Sequence, residues 1–176
     1  MGYSNTAVED LLQPFRPAMG DDYDKYRNHV YRVFLNCLLI DSKGNNEGKY
    51  AVAAVFHDIG IWTDHTIDYL APSAEQARIY LQKTANASWA DEIAAMIYWH
   101  HKTSRYKGEY GITVECFRKA DWIDVSLGWL AFGANRRAIA ANRRKLPNLG
   151  FHLFLLKKLT RNFFRHPLNP LPMFKR

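Results

Sequence analysis

Apolar residues recur three and four positions apart through most of the chain, and no segment alternates apolar with polar residues over a strand's length. That periodicity admits helices and leaves nothing from which to build a sheet. Over residues 22–40 the apolar stripe is Tyr23, Tyr26, Val30, Val33, Cys37 and Ile40, and Asp21, Asp22 and Asp24 suit the positive end of a helix. The run DSKGNNEGK ends it. Residues 49–58 form a short alanine-rich helix, and Gly60 is expected to close it in a left-handed conformation. Ser73 with Gln76, behind Pro72, and Ser88 with Asp91 read as capping boxes, the first opening a helix to about Thr84. The helix after Ser88 puts Ile93, Met96, Ile97 and His100 on one stripe, and further helices are predicted over 113–127, 130–146 and 150–164. The expected class is all-α.

At 176 residues, 48% hydrophobic and 23% charged, the composition is that of one globular domain and excludes a disordered chain or a coiled-coil rod. The expected unit spans residues 1–176, with a core at 20–128 and a basic helical extension, 129–176, packed on it. Cys37 and Cys116 lack Cys-x-x-Cys spacing and read as reduced thiols. No apolar run approaches the roughly 18 residues of a membrane span, and the first residues carry no basic-then-apolar leader, so the expected location is cytoplasmic. Charge is unevenly spread. All 17 acids lie at or before Asp124, alongside 13 Lys and Arg, whereas the remaining 52 residues carry 11 Lys and Arg and no acid. Such a tail attracts anions.

Four groups place polar, metal-competent side chains on helix faces that otherwise read as buried: His29, His57-Asp58, His100-His101 and Asp121. An unpaired buried polar group costs roughly 1 to 3 kcal/mol, and a shared cation would satisfy several at once. Each group alone also fits a hydrogen-bonded core residue. Imidazoles and carboxylates without thiolates suit Mn, Fe, Ni, Zn, Co or Mg.

The order of these residues, His29 in YRNHVYRVF, His57-Asp58 in AVFHDIGIW and Asp121 in RKADWID, resembles the H…HD…D motif of the HD superfamily of metal-dependent phosphohydrolases. The resemblance covers roughly residues 23–127. It implies an HD-domain, phosphodiesterase-like helical bundle with extra C-terminal helices, a divalent metal ion held by His29, His57, Asp58 and Asp121 with a second ion left open, and hydrolysis of a phosphate ester of a small molecule or nucleotide. Asp58 and His100 are the expected catalytic residues, His100 through substrate or a second metal, and His101 is expected to be structural or solvent-facing. Arg32, Lys102 and Lys119 are the expected phosphate-holding cations, Arg105 a surface charge and Glu75 a partner of its helix dipole. Binuclear relatives supply histidines between the HD pair and the last Asp. Here the helix after Pro72 has none, Tyr69 stands near that position, and His65 lies in the preceding loop.

Two other readings remain: an HD-type di-iron oxygenase, and a non-catalytic metal-stabilised module. In the second, the pairs Arg136-Arg137 and Arg143-Arg144, seven residues apart, make one helix face for nucleic acid or anionic membrane. The segment GFHLFLLKKLTRNFFRH reads as a basic amphipathic helix, and the closing PLNPLPMFKR as extended. A homodimer is left open.

Overall fold

The computed structural model describes residues 5–165, and every regular element among them is helical, as the periodicity requires. The helices are α1 (Thr6–Leu12), α2 (Arg16–Met19), α3 (Tyr23–Ile40), α4 (Glu47–Phe56), α5 (Gly60–Thr63), α6 (Leu70–Gln82), α7 (Ala90–Trp99), α8 (Gly111–Val125), α9 (Arg136–Lys145) and α10 (Phe151–Arg165). PLNPLPMFKR lies outside the described residues.

The core is built from α3, α4, α7 and α8. α3 packs along α8 and α4, α7 closes against both, and α6 lies on the outer side of α7. Val30, Val33, Phe34 and Cys37 of α3 are fully buried, but its burial runs well beyond one stripe because further elements cover its other faces. α1 covers Tyr31, whose hydroxyl accepts from the Asn5 N–H at 2.9 Å and donates to Glu9 at 2.7 Å. The α9–α10 link covers Asn28, whose amide donates to the Pro147 carbonyl at 2.8 Å. Both cysteines are buried, and Cys116 Sγ meets the Cys37 carbonyl at 3.5 Å.

Four local expectations are corrected. Gly60 is not left-handed; it begins α5, and a Cβ there would stand 2.8 Å from the Tyr69 carbonyl oxygen. Glycine is needed for close approach, and Ser73 accounts for it: α6 starts three residues before Ser73, which is buried in the helix with Oγ accepting the Gly60 N–H at 3.0 Å. Ser88 likewise does not cap; it sits in a 3-10 turn (Ala87–Trp89), and α7 follows with Asp91 and Glu92 in its first turn. The helix expected over 130–146 forms only as α9. α8 ends with Leu127 and Gly128 at φ 57° and 84° and the Gly128 N–H on the Ile123 carbonyl at 2.8 Å, a Schellman-type close. Phe132 and Gly133 then turn at positive φ, and Asn135 caps α9 by accepting from the Arg137 and Ala138 N–H groups.

The four arginines expected to form one basic face divide. Arg143 pairs with Asp124 at 3.2 Å, and Arg136 donates to the Gly128 and Trp129 carbonyls, whereas Arg137 and Arg144 are exposed. α10 lies against α3 with Phe151 fully buried and Phe154 stacked on Trp62, ring centroids 5.4 Å apart. No described helix is long and apolar enough to cross a membrane.

Candidate metal centre

The centre lies where four core helices meet. α3 contributes His29 from its middle; α4 ends at Phe56, so that His57 and Asp58 occupy the turn before α5; α7 ends at Trp99 with His100 as its C-cap; and α8 contributes Asp121. All five side chains are buried. The turn bearing His57-Asp58 is fixed by Tyr26, whose hydroxyl donates to the Val55 carbonyl at 2.9 Å and accepts from the Asp58 N–H at 3.2 Å.

Hydrogen bonds fix which imidazole nitrogen carries a proton. His29 Nδ1 meets Asp124 Oδ2 at 2.7 Å, His57 Nδ1 the Ala54 carbonyl at 2.8 Å and His100 Nδ1 the Ile97 carbonyl at 2.6 Å. Each acceptor requires N–H on Nδ1, which in the neutral imidazole, the form that ligates a metal, leaves the lone pair on Nε2. Those lone pairs converge. His29 Nε2 and His57 Nε2 are 2.9 Å apart, and both approach Asp58 Oδ2 (3.7 and 3.4 Å) and Asp121 Oδ1 (3.6 and 3.9 Å). His100 Nε2 faces Asp58 Oδ1 at 3.5 Å, and both atoms are buried without a hydrogen-bond partner. Acceptors converging with no donor among them repel, and a cation removes the conflict. The donor set therefore fits a metal ion. Two groups among the described residues could hold one: His29, His57 and Asp58, and Asp58, His100 and His101.

Protonation follows burial and charge. Burial pushes His57 down to about 3, keeping it neutral and able to ligate. Burial alone would raise Asp58, but His100 and His29 outweigh it and hold the carboxylate well below its usual range. Asp121 is raised by burial to about 6 against the opposing pull of His100 and His29. For His100, burial disfavours the charged form, yet Asp58 and Asp121 raise its pKa.

The remaining predicted residues separate. His101 is not solvent-facing: it is half-buried, its Nε2 bonds the Tyr69 hydroxyl, and its Nδ1 stands 4.0 Å from Asp121. Lys102 follows it in the chain and is half-buried. Arg32 is corrected from substrate to scaffold. It is 1% exposed, bonds Asp124 through Nε at 2.6 Å and a terminal nitrogen at 2.9 Å, and donates to the Leu146 carbonyl, which leaves its guanidinium occupied. Lys119 is corrected too. Two residues before Asp121 it points roughly to the opposite side of α8, where with Arg105 it lines a separate cavity beside Asp41 and Cys116. Glu75 is exposed and paired with Arg78 at 3.5 Å, and His65 is exposed in its loop at φ 52°.

Asp124 and Tyr26 are the residues that sequence reasoning missed. Each lies three positions from a motif residue, Asp121 and His29 respectively, and hence on the same helix face, which is the signal that would have found them. Asp124 is held well below the carboxylate range: burial opposes this, but the bonds from His29 and Arg32 prevail. Its carboxylate ties His29 to Arg32 and Arg143, and its backbone carbonyl meets His152 Nε2 at 3.1 Å. Phe151 stacks on His29, ring centroids 4.3 Å apart. Beside Asp121, His101 and Tyr69 opens a cavity of about 130 Å³ between α8 and α10, to which Lys158 contributes.

Comparison with curated proteins and with solved structures yields no match. A family model, that of the HD domain, matches residues 26–126, more than half of the chain and a stretch holding His29, His57, Asp58, His100, Asp121 and Asp124. With the histidine and aspartate side chains of that stretch gathered at one buried point, the chain belongs to the HD domain family.

Proposed function

We propose that this protein is a metal-dependent phosphohydrolase acting on a phosphate ester of a small molecule. The observation that carries the reading is the convergence of the Nε2 lone pairs of His29 and His57 with carboxylate oxygens of Asp58 and Asp121, beside the unpartnered Asp58 Oδ1 and His100 Nε2. His29, His57, Asp58 and Asp121 hold the ion, of the Mn, Fe, Ni, Zn, Co or Mg group that nitrogen and oxygen donors suit. A divalent ion in such a site lowers the pKa of a bound water and neutralises charge developing on a phosphoryl group. Asp58 Oδ1 orients the attacking water by accepting its hydrogen bond. His100, whose Nε2 faces the unpartnered Asp58 Oδ1, meets the substrate or a second ion. Lys102, kept from the sequence expectation, and Lys158, which lines the cavity beside Asp121 and takes the role first expected of Arg32 and Lys119, are the cations assigned to phosphate oxygens.

The test is hydrolysis of p-nitrophenyl phosphate and of a nucleotide panel after chelation and re-addition of single metals. Metal-restored turnover is expected, and Asp58→Ala should lower it at least a thousandfold while helix content by circular dichroism stays intact. Turnover retained in that variant removes Asp58 from its role. The second reading, a di-iron oxygenase, is favoured by one observation: Asp58 is shared between two ligand groups, the second formed with His100 and His101. Two irons per chain without ester hydrolysis would select it.

A further inference from the structure

The cavity beside the metal centre has a composition that restricts what can enter it. Ile61, Ile67 and Val125 wall one part, α10 adds Leu155 and Leu159, and Asp121 marks the end nearest the centre. At about 130 Å³ it is close in size to an apolar cavity of about 150 Å³ that takes a benzene ring. A nucleobase with its ribose does not fit. One wall is Trp122, whose Nε1 is buried with no hydrogen-bond partner. A buried indole N–H without an acceptor is costly in so apolar a setting, and an acceptor on a ligand relieves the cost. Lys158 reaches the same cavity, with Nζ 5.5 Å from the Phe154 ring centroid.

We infer that this cavity is the specificity pocket of the site, and that the substrate is a phosphomonoester of a compact apolar or aromatic alcohol carrying one hydrogen-bond acceptor, not a nucleotide. The inference rests on the phosphohydrolase reading for its chemistry and on the cavity alone for its selectivity. The phosphate lies toward Asp121 and His101, the organic group lies between α8 and α10, and Trp122 Nε1 donates to its acceptor. Trp122 and Leu159 are positioning residues for the organic group.

The experiment is calorimetric binding of phenylphosphonate and of AMP to the full chain as purified, alongside Leu159→Trp, which fills the cavity, and Trp122→Phe, which deletes the donor and keeps a ring. Metal content and melting temperature of both variants serve as the control for folding. Phenylphosphonate is expected to bind at least tenfold more tightly than AMP and to lose at least tenfold in Leu159→Trp. Among the ring isomers of acetylphenylphosphonate, at least one is expected to exceed phenylphosphonate about fivefold and to lose that gain in Trp122→Phe. AMP binding as tightly as phenylphosphonate, phenylphosphonate not binding, or Leu159→Trp leaving its binding unchanged would each overturn the pocket, even where the protein hydrolyses esters. Binding that Leu159→Trp abolishes, in a protein that hydrolyses no ester, would uphold the pocket and sink the phosphohydrolase reading.

Discussion

Asp124 shows how a residue one step behind the candidate ligands governs them. Its carboxylate holds the His29 Nδ1 proton and the Arg32 guanidinium, all within 1% side-chain exposure. Asp124→Asn removes the charge that orients His29 and leaves Arg32 buried without a counter-ion. Metal affinity by chelator competition is expected to fall about 10- to 100-fold, and stability by denaturant unfolding by about 3–5 kcal/mol. A second carboxylate gives a clean pH signature away from the centre. Glu115 accepts from Arg118 at 2.8 and 2.9 Å and from the Tyr106 N–H at 2.7 Å; burial works against its ionisation, but these bonds lower its pKa. A folded-state pKa below the unfolded one means the stabilisation is present above the ordinary glutamate value and is lost as pH falls through the folded one. Glu115→Gln should therefore cost about 1–3 kcal/mol at pH 7, a gap that closes below about pH 4. His29, His57, Asp58 and Asp121 were legible in the sequence because a histidine or carboxylate on an apolar stripe stands out. Arg32 was not, because its role depends on Asp124, 92 residues away; Lys119 was misread although the helical angle to Asp121 already turned it aside.

The helices were legible where apolar spacing continued and illegible where tertiary contact overrode local signals. α3 and α8 lie within two residues of their expected bounds. Gly60 and Ser73 failed as cap signals for one shared reason: the α5 backbone approaches α6 so closely that glycine is required on one side and a hydroxyl acceptor on the other. The segment after α8 broke because positive φ at Leu127, Gly128, Phe132 and Gly133 cannot continue a helix, a constraint that apolar spacing does not register. α10 is an element whose sequence announced amphipathicity but not its seat. Its Phe151 is fully buried and stacked on His29. Phe151→Ala is expected to cost about 3–5 kcal/mol in denaturant unfolding; a loss below about 1 kcal/mol would mean that α10 does not close over the centre.

At the scale of the whole molecule, the charge asymmetry takes a structural meaning different from a uniform anion-binding tail. The acid-free segment after Asp124 sends Arg143 inward to Asp124 and Lys158 to the cavity beside Asp121, so part of its charge serves the core. Arg137 and Arg144 remain outward. The HD domain match ends at residue 126; beyond it α9 and α10 pack on α3 and α10 walls the cavity beside Asp121, which makes this segment the place where the chain departs from a bare HD core. The central claim is that buried imidazole lone pairs and carboxylates meet because a divalent ion joins them. The measurement that tests it most directly is the metal content of the purified protein, with His57→Ala as the paired variant. The expected result is at least one divalent ion per chain, lost in the variant while helix content persists. A well-folded protein that carries no metal and takes up none on dialysis against Mn, Fe, Ni, Zn, Co or Mg would contradict it and leave these side chains as a buried hydrogen-bond network.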